Sequence, residues 1–271
     1  MHGAGNDFIL VDDRSAQFPV TDQRWMRQLC SLHAGVGAEG LILLQSSDKA
    51  SFCMRFFNPD GLEAEMCGNG IRCAARLAHD LEIAGKEMTI KTGAGVLSAA
   101  MTKNGVRVAM PAVSGIRLNF TVQADGQAIV CSFINTGVPH LVVETGNLEA
   151  VDLQRLGPLL RRHEAFAPAG TNVDYLSVTG AHSLSARTYE RGVEAETLAC
   201  GTGITACAVI AGLLNKVTPP VQVTCRHGDT LEVDFKRNGE RVENVTLTGP
   251  AEYVFQGEIT RSQESEISSQ N

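Results

Sequence analysis

The chain has 271 residues, 44% hydrophobic and 20% charged, the proportions expected of a soluble globular protein with one or two domains. A formal net charge of −7 argues against nucleic acid or an anionic membrane surface as partner. No apolar run approaches the ~20 residues that span a bilayer, and Met1-His2-Gly3-Ala4-Gly5 has neither the basic end nor the apolar core of a signal peptide, so a cytoplasmic protein is expected.

The opening His2–Asp7 is a turn-rich loop leading into a strand, Phe8–Val11. A helix capped by Thr21 or Asp22 is expected over Asp22–Leu32. Gly35-Val36-Gly37-Ala38-Glu39-Gly40 fits a dinucleotide pattern, but it precedes the apolar strand Leu41–Leu44 instead of opening a helix, so it reads as a turn. Strand Phe52–Phe57 ends in the turn Asn58-Pro59-Asp60-Gly61. A helix from Cys67 to about Ile83 and strands at Met88–Lys91, Gly95–Met101 and Val106–Met110 complete a first half.

Pro111 marks the crossing into a second half, with strands expected at Asn119–Val122, Ala128–Phe133 and Leu141–Glu144. A helix over Asp152–Arg162 precedes strands at Tyr175–Val178 and Ser185–Tyr189. A second central helix runs from Gly201 to about Leu214, before Pro219-Pro220. Strands at Gln222–Cys225, Thr230–Lys236, Asn244–Thr248 and Ala251–Gln256 follow. The expected class is α+β: two pseudo-symmetric domains, 1–112 and 113–256, each a curled mixed or antiparallel, barrel-like sheet around a central helix. A strand near 257–262 would complete the first domain, and the polar segment 263–271 reads as a disordered tail.

The symmetry rests on a repeat. Met66-Cys67-Gly68-Asn69-Gly70-Ile71 recurs as Ala199-Cys200-Gly201-Thr202-Gly203-Ile204, with Glu63 and Glu196 each four residues before their cysteine. The two cysteines lie 133 residues apart, close to half the chain. Glycines at a helix start let a ligand approach the free N–H groups of the first turn, an anion site that also favours a thiolate. Two such thiols on opposite faces of one anionic substrate form an acid–base pair that inverts a stereocentre. A lone cysteine is more often a small buried hydrophobe; the duplicated context lifts these two above that reading. The backbone N–H groups of Gly68, Asn69, Gly201 and Thr202 would stabilise the enediolate formed at a carboxylate.

The other six cysteines are scattered, with no Cys-x-x-Cys pair and no metal-ligand spacing to the seven histidines, so thiols without a metal site are expected. A pyridoxal enzyme needs a Schiff-base lysine, yet no lysine falls between Lys103 and Lys216 and none sits near either motif, so no cofactor is expected. Asn6 reads as a turn residue or a site residue. His140 reads as a satisfied buried histidine or as the group that orients a thiol. Glu63 and Glu196 read as helix caps, recurrence making Glu196 the better functional candidate. Glu190-Arg191 reads as a surface ion pair or as a receptor for an ammonium and a carboxylate.

These motifs resemble the diaminopimelate epimerase family through His2–Phe8, Phe57–Gly61, Met66–Cys73, Pro139-His140, Asn172, Tyr189–Gly192 and Glu196–Gly203. The resemblance implies a cofactor-free, two-cysteine interconversion of LL- and meso-diaminopimelate for lysine and cell-wall synthesis, by what is usually a homodimer. It makes Cys67 and Cys200 the acid–base pair, supported by His140 and Glu196. Gly68, Asn69, Gly201 and Thr202 would hold the reacting carboxylate, and Asn6, Asn58, Asn172, Glu190 and Arg191 the rest of the substrate. Three positions depart from the family pattern: Val138 stands where Asn is frequent, Glu39 where Asp is usual, and Gly40 where some members carry Gln. The loop Gly192–Glu196 is one residue longer than usual, and fewer residues precede the first motif. The rival readings are a related racemase of glutamate or histidine and, more distantly, a thiol redox sensor.

Overall fold

The computed structural model describes residues 1–239 and 241–259. A short hairpin, β1 (His2–Gly3) and β2 (Asn6–Asp7), opens the chain. There follow β3 (Ile9–Asp12), α1 (Gln23–Cys30), β4 (Leu41–Gln45), β5 (Phe52–Phe57), β6 (Glu63–Ala64), α2 (Gly68–Asp80), β7 (Glu87–Thr92), β8 (Gly95–Thr102) and β9 (Gly105–Ala109). The remainder comprises β10 (Ser114–Ala124), β11 (Gln127–Asn135), β12 (Pro139–Glu144), α3 (Leu153–Arg161), β13 (Asn172–Gly180), β14 (Ser183–Glu190), β15 (Ala195–Thr197), α4 (Gly201–Leu213), β16 (Val221–Thr224), β17 (Thr230–Asn238) and β18 (Arg241–Gly249).

The two halves repeat one topology. In the first, β3 pairs parallel with β4, β4 antiparallel with β5, β5 with the short β6 and in parallel with β7, and β7, β8 and β9 continue antiparallel. In the second, β12, β13, β14, β15, β16, β17 and β18 pair in the same order and the same senses. The last strands of the halves, β9 and β18, pair antiparallel, so one sheet runs through both. The hairpin β10–β11 is an addition to the second half, set against β12.

Sequence alternation explains how helices cover both faces. On β4, Ile42 and Leu44 pack in the core beneath α2, whereas Leu41 and Leu43 pack beneath α1. All four are fully buried, which is why this strand reads as an unbroken apolar run. On β12 and β13, Leu141, Val143, Val173 and Tyr175 face α3, and Val142 and Leu176 join the core around α4. Every residue of α4 but Thr202 is buried. Wrapped by strands on all sides, it has no polar face to show, and its small residues let the strands close in.

Most element boundaries agree with the expected ones to within a few residues; β10 starts at Ser114 instead of Asn119, the opening loop forms the β1–β2 hairpin, the short strands β6 and β15 had no expected counterpart, and the end of the chain differs. Ala251–Gln256, expected as a strand, forms only a single bridge between Glu252 and His2. Past that exchange no further ladder forms among the described residues, and Tyr253, Val254 and Phe255 are exposed in succession instead of alternating. Residues 257–259 are irregular; the rest of the strand expected near 257–262 and the tail 263–271 lie outside the described residues. No helix among the described residues is long and apolar enough to cross a membrane.

Candidate active site

Cys67 and Cys200 each occupy the residue immediately before the first turn of a central helix, in extended conformation, and neither side chain caps its helix. The first-turn N–H groups of α2 and α4 are therefore left for another acceptor. The two helix starts meet: a methyl built on Gly68 would lie 3.9 Å from the Cα of Gly201, and one on Gly201 would lie 3.7 Å from Asn69 Oδ1. Asn69 Nδ2 donates to the carbonyl of Ala199 (2.9 Å) and to Asn6 Oδ1 (3.2 Å), tying the residue before Cys200 to the start of α2. The repeat thus brings its two cysteine-led helix starts together.

Around Cys67 the contacts are neutral, with one carboxylate and one guanidinium in electrostatic reach. Its Sγ lies 3.8 Å from Asn6 Oδ1, whose amide nitrogen is held by the Glu39 carboxylate. Burial pushes the thiol up, opposed by the N–H groups of Gly70 and Asn69; Glu190 adds to the rise and the Arg72 guanidinium opposes it. Arg72 is fully buried and donates to Gly68 O (3.1 Å), Asn69 Oδ1 (3.0 Å) and Pro250 O (3.3 Å).

Around Cys200 the partners are anionic. Burial pushes its thiol well above the ordinary range, reinforced by Glu190 and Asp174 and opposed by the Thr202 hydroxyl and Gly203 N–H. Thr202 Oγ1 lies 3.4 Å from Sγ, and Thr136 Oγ1 donates to Thr202 O (3.0 Å), pinning the first turn. Glu190 lies close to Cys200 and Thr197, and burial raises its carboxyl. His140, with no exposed surface, sets Nδ1 2.7 Å from Asp174 Oδ2, and Thr188 Oγ1 donates to Asp174 Oδ1 (2.7 Å). An ionised Asp174 accepts from Nδ1–H, leaving Nε2 as an acceptor; that atom is buried without a protein partner. A side chain at Gly203 would come within 2.3 Å of Asp174 Oδ1, so only glycine lets the helix start rest on this carboxylate.

The structure corrects one expected role. Glu196 does not reach the thiol: it stands opposite Tyr189 in the β14–β15 register, on the face turned to α3. There Arg187 grips it with two bonds of 2.7 and 2.8 Å. Glu63 is held in the same way by Arg55 (2.8 and 2.7 Å) opposite Phe57. The recurrence of glutamate before each cysteine therefore marks a duplicated clamp on the hairpin that leads into each helix. Glu190, expected to bind substrate, sits at Cys200 instead.

Of the other expected residues, Asn172 is buried and braces its neighbours, donating to Pro139 O (3.0 Å) and accepting from Arg191 N–H (2.7 Å). Arg191 Nη1 donates to Ala169 O (3.1 Å) on the protein surface. Asn58 closes its turn through the main chain, with N–H to Leu62 O (2.9 Å). Sequence reasoning passed over Asp174, Thr188 and Arg72. The available signal for Asp174 was alternation, since a carboxylate inside the apolar strand Val173–Leu176 must share the face of Asn172.

The fold recurs in several solved structures. It is shared with a probable proline racemase from Agrobacterium radiobacter K84 with bound carbonate (TM-score 0.66, 14% identity, 98% of this chain and 93% of that one). A PhzF-family phenazine biosynthesis protein from Bacillus anthracis is equally near (TM-score 0.66, 17% identity, 92% of each chain). The family model for diaminopimelate epimerase matches residues 1–115 and 132–254. The diaminopimelate epimerase of Aquifex aeolicus is 42% identical over 96% of both chains. That of Chlorobaculum tepidum is 41% identical over 96% of this chain and all of the relative. The chain belongs to the diaminopimelate epimerase family.

Proposed function

We propose that this protein is a cofactor-independent epimerase that interconverts LL- and meso-2,6-diaminopimelate, serving lysine and peptidoglycan synthesis. The observation that carries the reading is the meeting of two cysteine-led helix starts, within a chain whose relatives carry that name. One thiolate takes the α-hydrogen, and the C–H electron pair passes into the carboxylate as an enediolate. The thiol on the opposite face then gives its proton to the same carbon, leaving the inverted centre and the opposite protonation of the pair. Gly68, Asn69, Gly201 and Thr202 offer main-chain N–H groups to the carboxylate as charge builds on it. His140 and Glu190 serve Cys200 as proton acceptors; Asn6, beside Cys67, with Asn58, Asn172 and Arg191 binds the substrate, several of them at its distal end.

The domain division at 112–113 is supported by the repeated topology, and each central helix has its own core. A homodimer is supported by Tyr253, Val254, Phe255 and Ile259, exposed beside the outer strand β3, whose free edge a second copy could extend. A cytoplasmic site of action fits a lysine-pathway enzyme with eight unpaired thiols.

Proton NMR in D₂O under reductant tests the reading. Loss of the α-hydrogen from LL-diaminopimelate, with none from L-glutamate or L-histidine, is the expected result. Exchange only in another amino acid would overturn the substrate while keeping the chemistry.

A further inference from the structure

Arg72 is a fully buried guanidinium, and no carboxylate pairs with it among the described residues. Its hydrogen bonds go to two carbonyls and one amide oxygen, all neutral. A charge so placed is strongly unfavourable unless something anionic compensates it.

The repeat supplies an internal control. Five residues beyond each cysteine stand Arg72 and Thr205. Arg72 Nη1 binds the carbonyl of Gly68 (3.1 Å), and Thr205 Oγ1 binds that of Gly201 (2.8 Å). A neutral hydroxyl thus makes in one half the carbonyl contact that a buried cation makes in the other, so that contact alone does not call for a charge. The groups whose charge reaches Arg72 are Cys73, Cys67, Cys225 and Asp229. Cys73 is sealed in the apolar core and pushed up to about 12, and Cys225 is likewise buried. Asp229 is already engaged by His227 (2.7 Å). Main-chain N–H groups favour a thiolate at both Cys67 and Cys225, but only Cys67 leads the helix turn whose Gly68 carbonyl and Asn69 amide Arg72 holds.

We propose that Arg72 is a positioning residue that makes Cys67 the thiolate-bearing member of the pair when the site is empty. This rests on the epimerase reading, and it fixes which thiol starts as the base. The groups facing the two thiols differ accordingly: Arg72 and Glu190 for Cys67, and Glu190 and Asp174, itself paired with His140, for Cys200. Arg72 also orients Asn69, whose amide joins Asn6 to the loop before Cys200.

The test is the pH dependence of iodoacetamide alkylation, read at each cysteine by peptide mass spectrometry in the full-length protein. The alkylation midpoint of Cys67 should lie below that of Cys200. In Arg72→Gln it should rise by about one pH unit, seen as an about tenfold fall in rate at a fixed lower pH. Arg72→Lys should restore it, and the Cys200 midpoint should stay put in both. An unmoved Cys67 midpoint, or two midpoints rising together as in a general loosening, would overturn the proposal. If Arg72→Gln does not fold, the order of midpoints in the unaltered protein decides: Cys200 at or below Cys67 overturns it. α-Hydrogen exchange followed in parallel separates the two claims. Midpoints ordered as stated without exchange in any amino acid defeat the epimerase reading, whereas exchange with the wrong order defeats only the role of Arg72.

Discussion

Beneath α2 the sheet presents Phe8, Ile42 and Phe56; beneath α4, at the same register positions, it presents His140, Asp174 and Thr188. The first set is part of an apolar core, with Phe8 and Phe56 edge-to-face at 6.0 Å. The second is a hydrogen-bonded polar chain sealed from solvent. One residue past the strand end, Asn58 in the first half corresponds to Glu190 in the second. Duplication thus kept the scaffold, the cysteine, the glycines and the arginine–glutamate clamp, while the floors beneath the two helices diverged. The surroundings of the two cysteines differ accordingly, a buried guanidinium and helix N–H groups near Cys67 and a carboxylate–histidine pair beneath the helix that Cys200 leads.

The largest effect should come from Glu190→Gln, which removes an acceptor at Cys200 while keeping its shape. Loss of a positioned acid–base group lowers kcat by about 10²- to 10⁴-fold, whereas Asn58→Ala at the corresponding place should act mainly on KM. Equal losses in kcat would erase the contrast between the halves.

Asp174→Asn should lower kcat by about 10²-fold with little change in KM, because an amide can donate to Nδ1 and turn the imidazole to the wrong tautomer. Steady-state kinetics beside a thermal melt checks this; a loss of Tm with unchanged kcat would leave Asp174 a purely structural group.

The Glu190 carboxyl also sets a pH test. Burial raises it above the usual carboxylate range, so the folded state holds that proton more tightly than the unfolded chain. Its favourable contribution is present at low pH and is lost as pH rises through the raised value. Glu190→Gln should therefore gain stability relative to the parent as pH increases, measured by urea unfolding at several pH values. A difference that is flat with pH would remove the buried, raised carboxyl from the account.

The smallest effects belong to the clamps. Glu196→Gln should cost about 1 kcal/mol of stability, since the pair with Arg187 is largely buried, and Glu63→Gln less, because its pair with Arg55 is more exposed and screened. Neither should change the pH dependence of kcat. A large, pH-shifted loss in Glu196→Gln would return that residue to the thiol.

How legible this was in the sequence follows the kind of signal. The cysteines, their glycines and both central helices are local and repeated, so they could be read directly. Glu196 was misread because recurrence at a fixed distance looks alike for a clamp and for a catalytic group; only the register opposite Tyr189 tells which face it takes. His140 holds the register position that Phe8 holds in the first half, an equivalence that only the strand pairing reveals. Asp174 and Arg72 act across elements distant in the chain, and no local pattern encodes such contacts. Ala251–Gln256 has strand-like composition, yet makes only the single bridge from Glu252 to His2.

The most direct test of the paired-thiol site is to start from a single stereoisomer of diaminopimelate in D₂O and follow label in both species during the first turnover. Two bases on opposite faces predict solvent deuterium in the product and none in the remaining substrate. Deuterium returning to the substrate, or the original hydrogen carried into the product, would mean one base serving both faces and would contradict the account.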